Sequence, residues 1–149
     1  MSKSENNYST EYEAPSSVSD VAVAYGNPFK SAGMARNGVA PMLVMDLMDQ
    51  FKFTKQETAE LIDVSSKTLD RHFKAGRAFR GLQSDRILEL GNLYNQGVEV
   101  FGSQNKFLKW LDSKLPALGN TSPREWLDTQ LGIEAISDEI GRIKYGLFA

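Results

Sequence analysis

The chain has 149 residues, enough for one compact domain or two very small ones, with an ordinary 41% hydrophobic, 24% charged composition and a net charge of −2. The absence of cysteine excludes disulfides, thiolate metal sites and cysteine nucleophiles. No apolar run approaches the roughly 18 residues of a membrane span, and the polar N-terminus lacks the order of a secretion signal, so a cytoplasmic protein without membrane contact is expected.

The charge is unevenly spread. Residues 1–51 carry three Lys/Arg against six Asp/Glu, residues 52–86 carry eight against five, and residues 87–149 carry six against eight. A basic middle between acidic flanks says more than the total. Residues 1–38 are rich in Ser, Asn, Glu, Gly and Ala without a sustained period, and read as a disordered tail.

Regular structure is predicted from Pro41, a good first helical residue, through a buried helix crowded with Met42, Val44, Met45, Leu47, Met48 and Phe51; its methionines read as gap-filling core. Thr54 and Glu57 fit a capping box that opens a helix carrying Ala59, Leu61 and Ile62. Asp63 follows where the chain must turn, and Asp tolerates left-handed geometry. Ser65 or Ser66 caps the next helix, which stops at Gly76. Ser84 is the next N-cap candidate, followed by Ile87, Leu90, Tyr94, Val98 and Phe101 at helical spacing. Gly91 and Gly97 each weaken that helix by about 1 kcal/mol relative to Ala, which points to close packing against a neighbour. Gly102 ends it, Ser103 starts another through Phe107, Leu108, Trp110 and Leu111, and Pro116 and Gly119 break that one. Ser122-Pro123-Arg124-Glu125 is a second capping box with Pro at N1. Gly132 reads as an interruption, after which Ile133, Ile136, Ile140, Ile143 and Leu147 form one long apolar stripe. With no strand-like alternation of any length, the fold class is all-α.

The two short helices capped at Thr54 and at Ser65 or Ser66 have helix-turn-helix dimensions. In such a unit the second helix buries one side and presents the other to the major groove. Leu69 and Phe73 share the inner face; Ser66, Lys67, Asp70, Arg71 and Lys74 share the outer one. Lys67 and Arg71 could reach guanine edges, while Lys74, Arg77 and Arg80 suit phosphates. The candidate DNA-binding set is Ser66, Lys67, Thr68, Arg71, Lys74 and Arg77. The other reading of this region is a helical hairpin with a solvated charged face, which Asp70 favours because a carboxylate is repelled by DNA unless it accepts from cytosine N4. His72, the only histidine, lacks partners at ligand spacing and reads as a surface or core-edge residue. No paired acid and base, phosphate-cradling glycine loop or metal set is present, so no catalytic residue, metal or cofactor is expected.

The C-terminal part is specific enough to compare with a known family. Val100-Phe101-Gly102, Trp110-Leu111, Pro116 through Gly119, Thr121 and Pro123, Leu127-Asp128-Thr129, Gly132, and Gly141-Arg142-Ile143 with Tyr145-Gly146 form an ordered series. The series resembles the toxin-binding domain of the Xre/MbcA/ParS antitoxins. Upstream, Val64-Ser65 with Thr68-Leu69, Ala75-Gly76-Arg77 and Ser84-Asp85-Arg86 are similar to the family's Xre-type helix-turn-helix. The family usually has Gly where Asp63 stands, Pro where Lys114 stands and a second Gly where Asn120 stands; Asp and Asn can take the same backbone conformations.

The resemblance covers about residues 40–149. With the disordered tail over 1–38 read from composition, it implies a helix-turn-helix DNA-binding domain over 39–101 and a toxin-binding domain over 102–149. It further implies an antitoxin that neutralises a RES-domain, NAD-degrading toxin by occluding its active-site cleft and represses its own promoter. The implied partners are the toxin, operator DNA and a second copy of the chain, with a larger hetero-oligomer formed with toxin.

The residues themselves fit that picture. Arg142, Lys144, Tyr145 and Phe148 stand at the chain end, where burial in so small a domain is hard, and Arg and Tyr dominate interface energies. Ile136, Ile140 and Ile143 are read as core instead. The candidate toxin-binding set is Trp126, Arg142, Lys144, Tyr145 and Phe148. The alternative function is a stand-alone homodimeric helix-turn-helix repressor whose C-terminal helices only dimerise.

Overall fold

A computed structural model describes residues 14–24 and 27–146. Its first two elements, α1 (Val18–Ala24) and α2 (Pro28–Asn37), fall in the stretch that composition assigns to a tail, which corrects that reading for these residues. The physical reason is a small apolar contact helped by good caps. Ser16 and Ser17 donate their amides to the Asp20 carboxylate, which the Ser16 amide above all holds below the usual carboxylate range. Val18 and Val21, one turn apart, are buried in the core. Val21 packs where Gly91 offers no side chain. The Val18 amide donates to Asp46 at 2.7 Å, and the Asn95 amide nitrogen donates to the Val18 carbonyl at 2.7 Å. In α2, Asn27 caps the Phe29 amide and Pro28 takes the first turn.

The next helix, α3 (Pro41–Phe51), begins at Pro41 as expected and buries Leu43, Val44, Leu47 and Phe51. Its methionines depart from the core reading: Met42 and Met45 are exposed, and only Met48 packs against the core. The buried stripe runs 43, 44, 47, 51, which turns 42 and 45 outward. Lys52 then closes the helix in the left-handed region at φ 61°.

Helices α4 (Lys55–Leu61) and α5 (Ser66–Ala75) are capped by Thr54, which accepts from the Glu57 amide, and Ser65, which accepts from the Thr68 amide. Asp63 sits in the turn between them at φ 58°. Gly76 ends α5. An isolated antiparallel bridge pairs Val39 with Phe79 and closes the segment around α3 to α5.

The long α6 (Leu82–Phe101) is the axis of the fold, packed by α1, α2, α3, α7 and α8. It starts two residues before Ser84, which is therefore not its cap: the buried Ser84 hydroxyl donates instead to the Ala35 and Gly81 carbonyls. Gly102, at φ 86°, ends α6, and Ser103 caps α7 (Gln104–Leu111). A Cβ at Gly97 would run into the Phe107 ring, so this glycine lets α7 close onto α6. Phe51, Tyr94 and Phe107 meet edge to face at centroid distances of 5.3 to 6.2 Å, joining α3, α6 and α7.

Residues 112–129 are a loop built on two short 3-10 helices, Pro116–Leu118 and Pro123–Trp126, with the Ser122–Glu125 capping box present in both directions. Asn120 adopts φ 61°, so it and Asp63 do take the left-handed conformation. The last helix, α8 (Gln130–Lys144), is capped by Thr129, and Gly132 lies inside its first turn rather than interrupting it. A Cβ there would strike the Trp126 carbonyl oxygen, which explains the glycine by packing. Ile133, Ile136 and Ile140 are core; Ile143 is only half-buried. Leu147 and Phe148 lie outside the described residues.

Candidate functional site

Two surfaces carry the residues singled out from sequence. On α5, Leu69 is fully buried and Phe73 packs against the core, so the inner face is as read. Ser66, Lys67, Arg71, Lys74 and Arg77 are exposed and Thr68 is half-buried. Asp70 is not a bare carboxylate: Lys55 of α4 reaches it at 2.6 Å. That hydrogen bond and charge hold the Asp70 carboxyl below its ordinary range. Asp70 therefore weakens the positive face less than its sequence position suggests, but it also engages Lys55. His72 stacks on Phe79 at 4.1 Å and bonds the Arg77 carbonyl through Nδ1, a core-edge position that fixes the end of α5.

Two arginines that sequence reasoning passed over join this region to the C-terminal one. Arg86 of α6 donates to the carbonyls of Leu61 and Asp128, both at 3.0 Å. Arg124 donates to Asp112 at 2.6 Å and to the Phe51 carbonyl at 2.8 Å, and lies over the Phe53 ring at 5.4 Å. Neither role has a local signal in sequence, because each partner is distant along the chain. A third polar residue, Glu89, lies half-buried among α6 and α8. One of its oxygens accepts from Gln130, its buried Oε2 has no partner, and burial raises its pKa above the usual carboxylate range.

In the C-terminal surface, Arg142 is folded back onto Glu139 at 2.6 Å, Lys144 lies 3.7 Å from Glu99, and Tyr145 is 74% exposed. Such exposed ion pairs are worth about 0–1 kcal/mol, so Arg142 can exchange Glu139 for a partner's acidic or phosphate group at little cost. Trp126 is 45% exposed, with its indole nitrogen donating to the Thr121 hydroxyl at 2.7 Å. It stands at the opposite end of α8 from Tyr145, about 20 Å away along the axis. The structure thus brings Arg142, Lys144 and Tyr145 together and leaves Trp126 apart; Phe148 is not among the described residues. An exposed apolar residue missed from sequence, Leu131, is 77% exposed near the Trp126 end. No group of residues able to hold a metal ion occurs among the described residues. None of their helices is long and apolar enough to cross a membrane.

The described residues thus form an all-α fold with two exposed polar surfaces, the basic face of α5 and the Arg-, Lys- and Tyr-bearing end of α8. Residues 96–146 match the family model described as the Antitoxin Xre/MbcA/ParS C-terminal toxin-binding domain. The chain is 28% identical over 96 residues to the antitoxin Xre of Yersinia enterocolitica, covering 64% of this chain and 65% of that protein. It is 25% identical over 137 residues, 86% of each chain, to the Prs ADP-ribosylating antitoxin of a Sphingobium species. In fold it is similar to a chain of the Mycobacterium tuberculosis MbcT–MbcA toxin–antitoxin complex. The TM-score is 0.53 at 20% identity, over 71% of this chain and 94% of that one.

Proposed function

We propose that this protein is the antitoxin of a toxin–antitoxin pair, binding its toxin through the end of α8 and occluding the toxin's active site. The observation that carries this reading is the toxin-binding domain match over residues 96–146, which contains the exposed cluster of Arg142, Lys144 and Tyr145. Trp126 contributes from the other end of the helix, and Phe148, outside the described residues, completes the proposed toxin-binding set.

The toxin in this reading is of the RES-domain type and consumes NAD. The name of the Sphingobium relative supports NAD as the shared chemistry, since ADP-ribosylation draws its ADP-ribose from NAD. An Arg142 guanidinium freed from Glu139 can pair bidentately with a carboxylate of the toxin or with the phosphates of a bound dinucleotide.

The same protein represses its own promoter as a homodimer, with α4 and α5 forming the helix-turn-helix and α5 the recognition helix. Lys67 and Arg71 read bases; Lys74 and Arg77 hold phosphates. The capping at Thr54 and Ser65, and the exposed face of α5, support this assignment. A cytoplasmic location and a larger toxin-bound assembly follow from the same reading.

Co-expression with the protein encoded beside it tests the proposal. A stable complex and preserved cellular NAD are expected, both lost when residues 141–149 are deleted. If the truncated chain protects as well as the full one, the toxin-binding end is misassigned.

A further inference from the structure

The outer side of α8 is a single strip. Leu131, Glu134, Ala135, Asp138, Arg142 and Tyr145 recur three or four residues apart, so they share one face, and all six are exposed. Its two large side chains stand at its ends, Leu131 at 77% and Tyr145 at 74% exposure, about 21 Å apart along the axis. A single exposed leucine is unremarkable on any surface; one aligned with an interface-type aromatic on an unpacked helix face is less so.

Charge supplies the second observation. Glu134 and Asp138 stand one turn apart between those ends, and like charges at that spacing weaken an isolated helix. Neither has an ion-pair partner among the described residues. Arg142 does not offset them, because its guanidinium is taken by Glu139. Glu134 accepts from the Gln130 side-chain amide at 3.2 Å, a neutral donor that leaves its charge uncompensated, whereas a basic surface laid on the strip would relieve the repulsion.

We infer that the outer face of α8 is one continuous docking strip for a basic surface of the toxin. Leu131 and Tyr145 anchor its ends, and Glu134 and Asp138 steer the encounter between them. This rests on the antitoxin reading and extends the contact from the end of α8 to its whole outer side.

The test uses the full chain and the protein of the neighbouring gene, with association and dissociation rates measured at low and high salt. The combined Glu134→Gln and Asp138→Asn variant is expected to associate about tenfold more slowly at low salt and to lose most of the salt dependence. Leu131→Ala is expected to dissociate about tenfold faster at an unchanged association rate. Both variants should melt at or above the wild-type midpoint, since neither change touches the core. Wild-type rates and salt dependence in both variants would overturn the inference while leaving the antitoxin reading intact. So would a dimer of the free chain that Leu131→Ala dissolves, because the strip would then belong to a second copy. No complex with the wild-type chain would remove both readings together.

Discussion

Replacing Arg124 with Ala removes the most connected side chain between the helix pair around α4 and the loop that leads into α8. Its side chain is 20% exposed, and the guanidinium donates to the Phe51 carbonyl at 2.8 Å, pairs with Asp112 at 2.6 Å and covers the Phe53 ring. The charge-assisted bond to a part-buried carbonyl is worth about 1.5–3 kcal/mol. The Asp112 pair adds little, about 0.5 kcal/mol, because Asp112 is 58% exposed, and the ring contact adds a similar amount. A loss of about 3 kcal/mol is therefore expected, or roughly 6–12 °C in Tm for a domain of this size. Urea unfolding followed by far-ultraviolet circular dichroism and by tryptophan emission measures it. The two probes should agree in wild type and variant, since α6 and the buried aromatic cluster belong to both regions. Arg124→Lys should recover a minor part, lacking the fork that serves two acceptors at once. A loss under about 1 kcal/mol, or two separate transitions in the wild type, would refute the account of Arg124 as the tie between regions.

Four further outcomes are expected. Gly97→Ala should destabilise by about 1–3 kcal/mol, measured by thermal melting, because the Phe107 ring occupies the space of the new methyl group. Glu89 has its pKa raised by burial, so between its unfolded value of 4.5 and its folded value the folded chain binds more protons; stability is lost as pH rises through that window. Glu89→Gln should accordingly raise Tm at pH 7 and flatten that part of the pH profile. Glu125 has the opposite sign, its pKa lowered by the Ser122 amide, so its capping contribution is present above pH 4.5 and fades as the folded carboxyl protonates; Glu125→Gln should erase that acid-side dependence. In promoter-binding titrations, Arg71→Ala should relax sequence preference and Lys74→Ala should weaken binding to all sequences, while Asp70→Ala should strengthen binding by freeing Lys55.

Much of the fold was legible because its punctuation is local. Thr54, Ser65, Ser103 and Ser122 announce helix starts through bonds to amides three residues on, and Gly76 and Gly102 announce ends through a left-handed backbone. Gly91 and Gly97 pointed correctly to close neighbours, though not to which ones. Several misreadings turn on a partner outside the local pattern. Ser84 looks like a cap but bonds Ala35, 49 residues away, and Gly132 looks like a break but makes room for Trp126. Among the described side chains of α1, Val18 and Val21 are the buried ones, too short a period to register, and the helix docks where Gly91 and Asn95 receive it. In the candidate site, exposure of Arg142 and Tyr145 followed from their place at the chain end, but their ion pairing, the position of Trp126 and the exposure of Leu131 needed the folded chain.

The central claim is that the end of α8 holds a toxin. Its most direct test is the affinity of the purified full-length chain for the protein of the neighbouring gene, compared with Arg142→Ala and Tyr145→Ala, each with a melting curve as a folding control. Both side chains are exposed, so the variants should fold as wild type and each should lose about 2 kcal/mol of binding, roughly thirtyfold in Kd. Wild-type affinity in both variants would contradict the account.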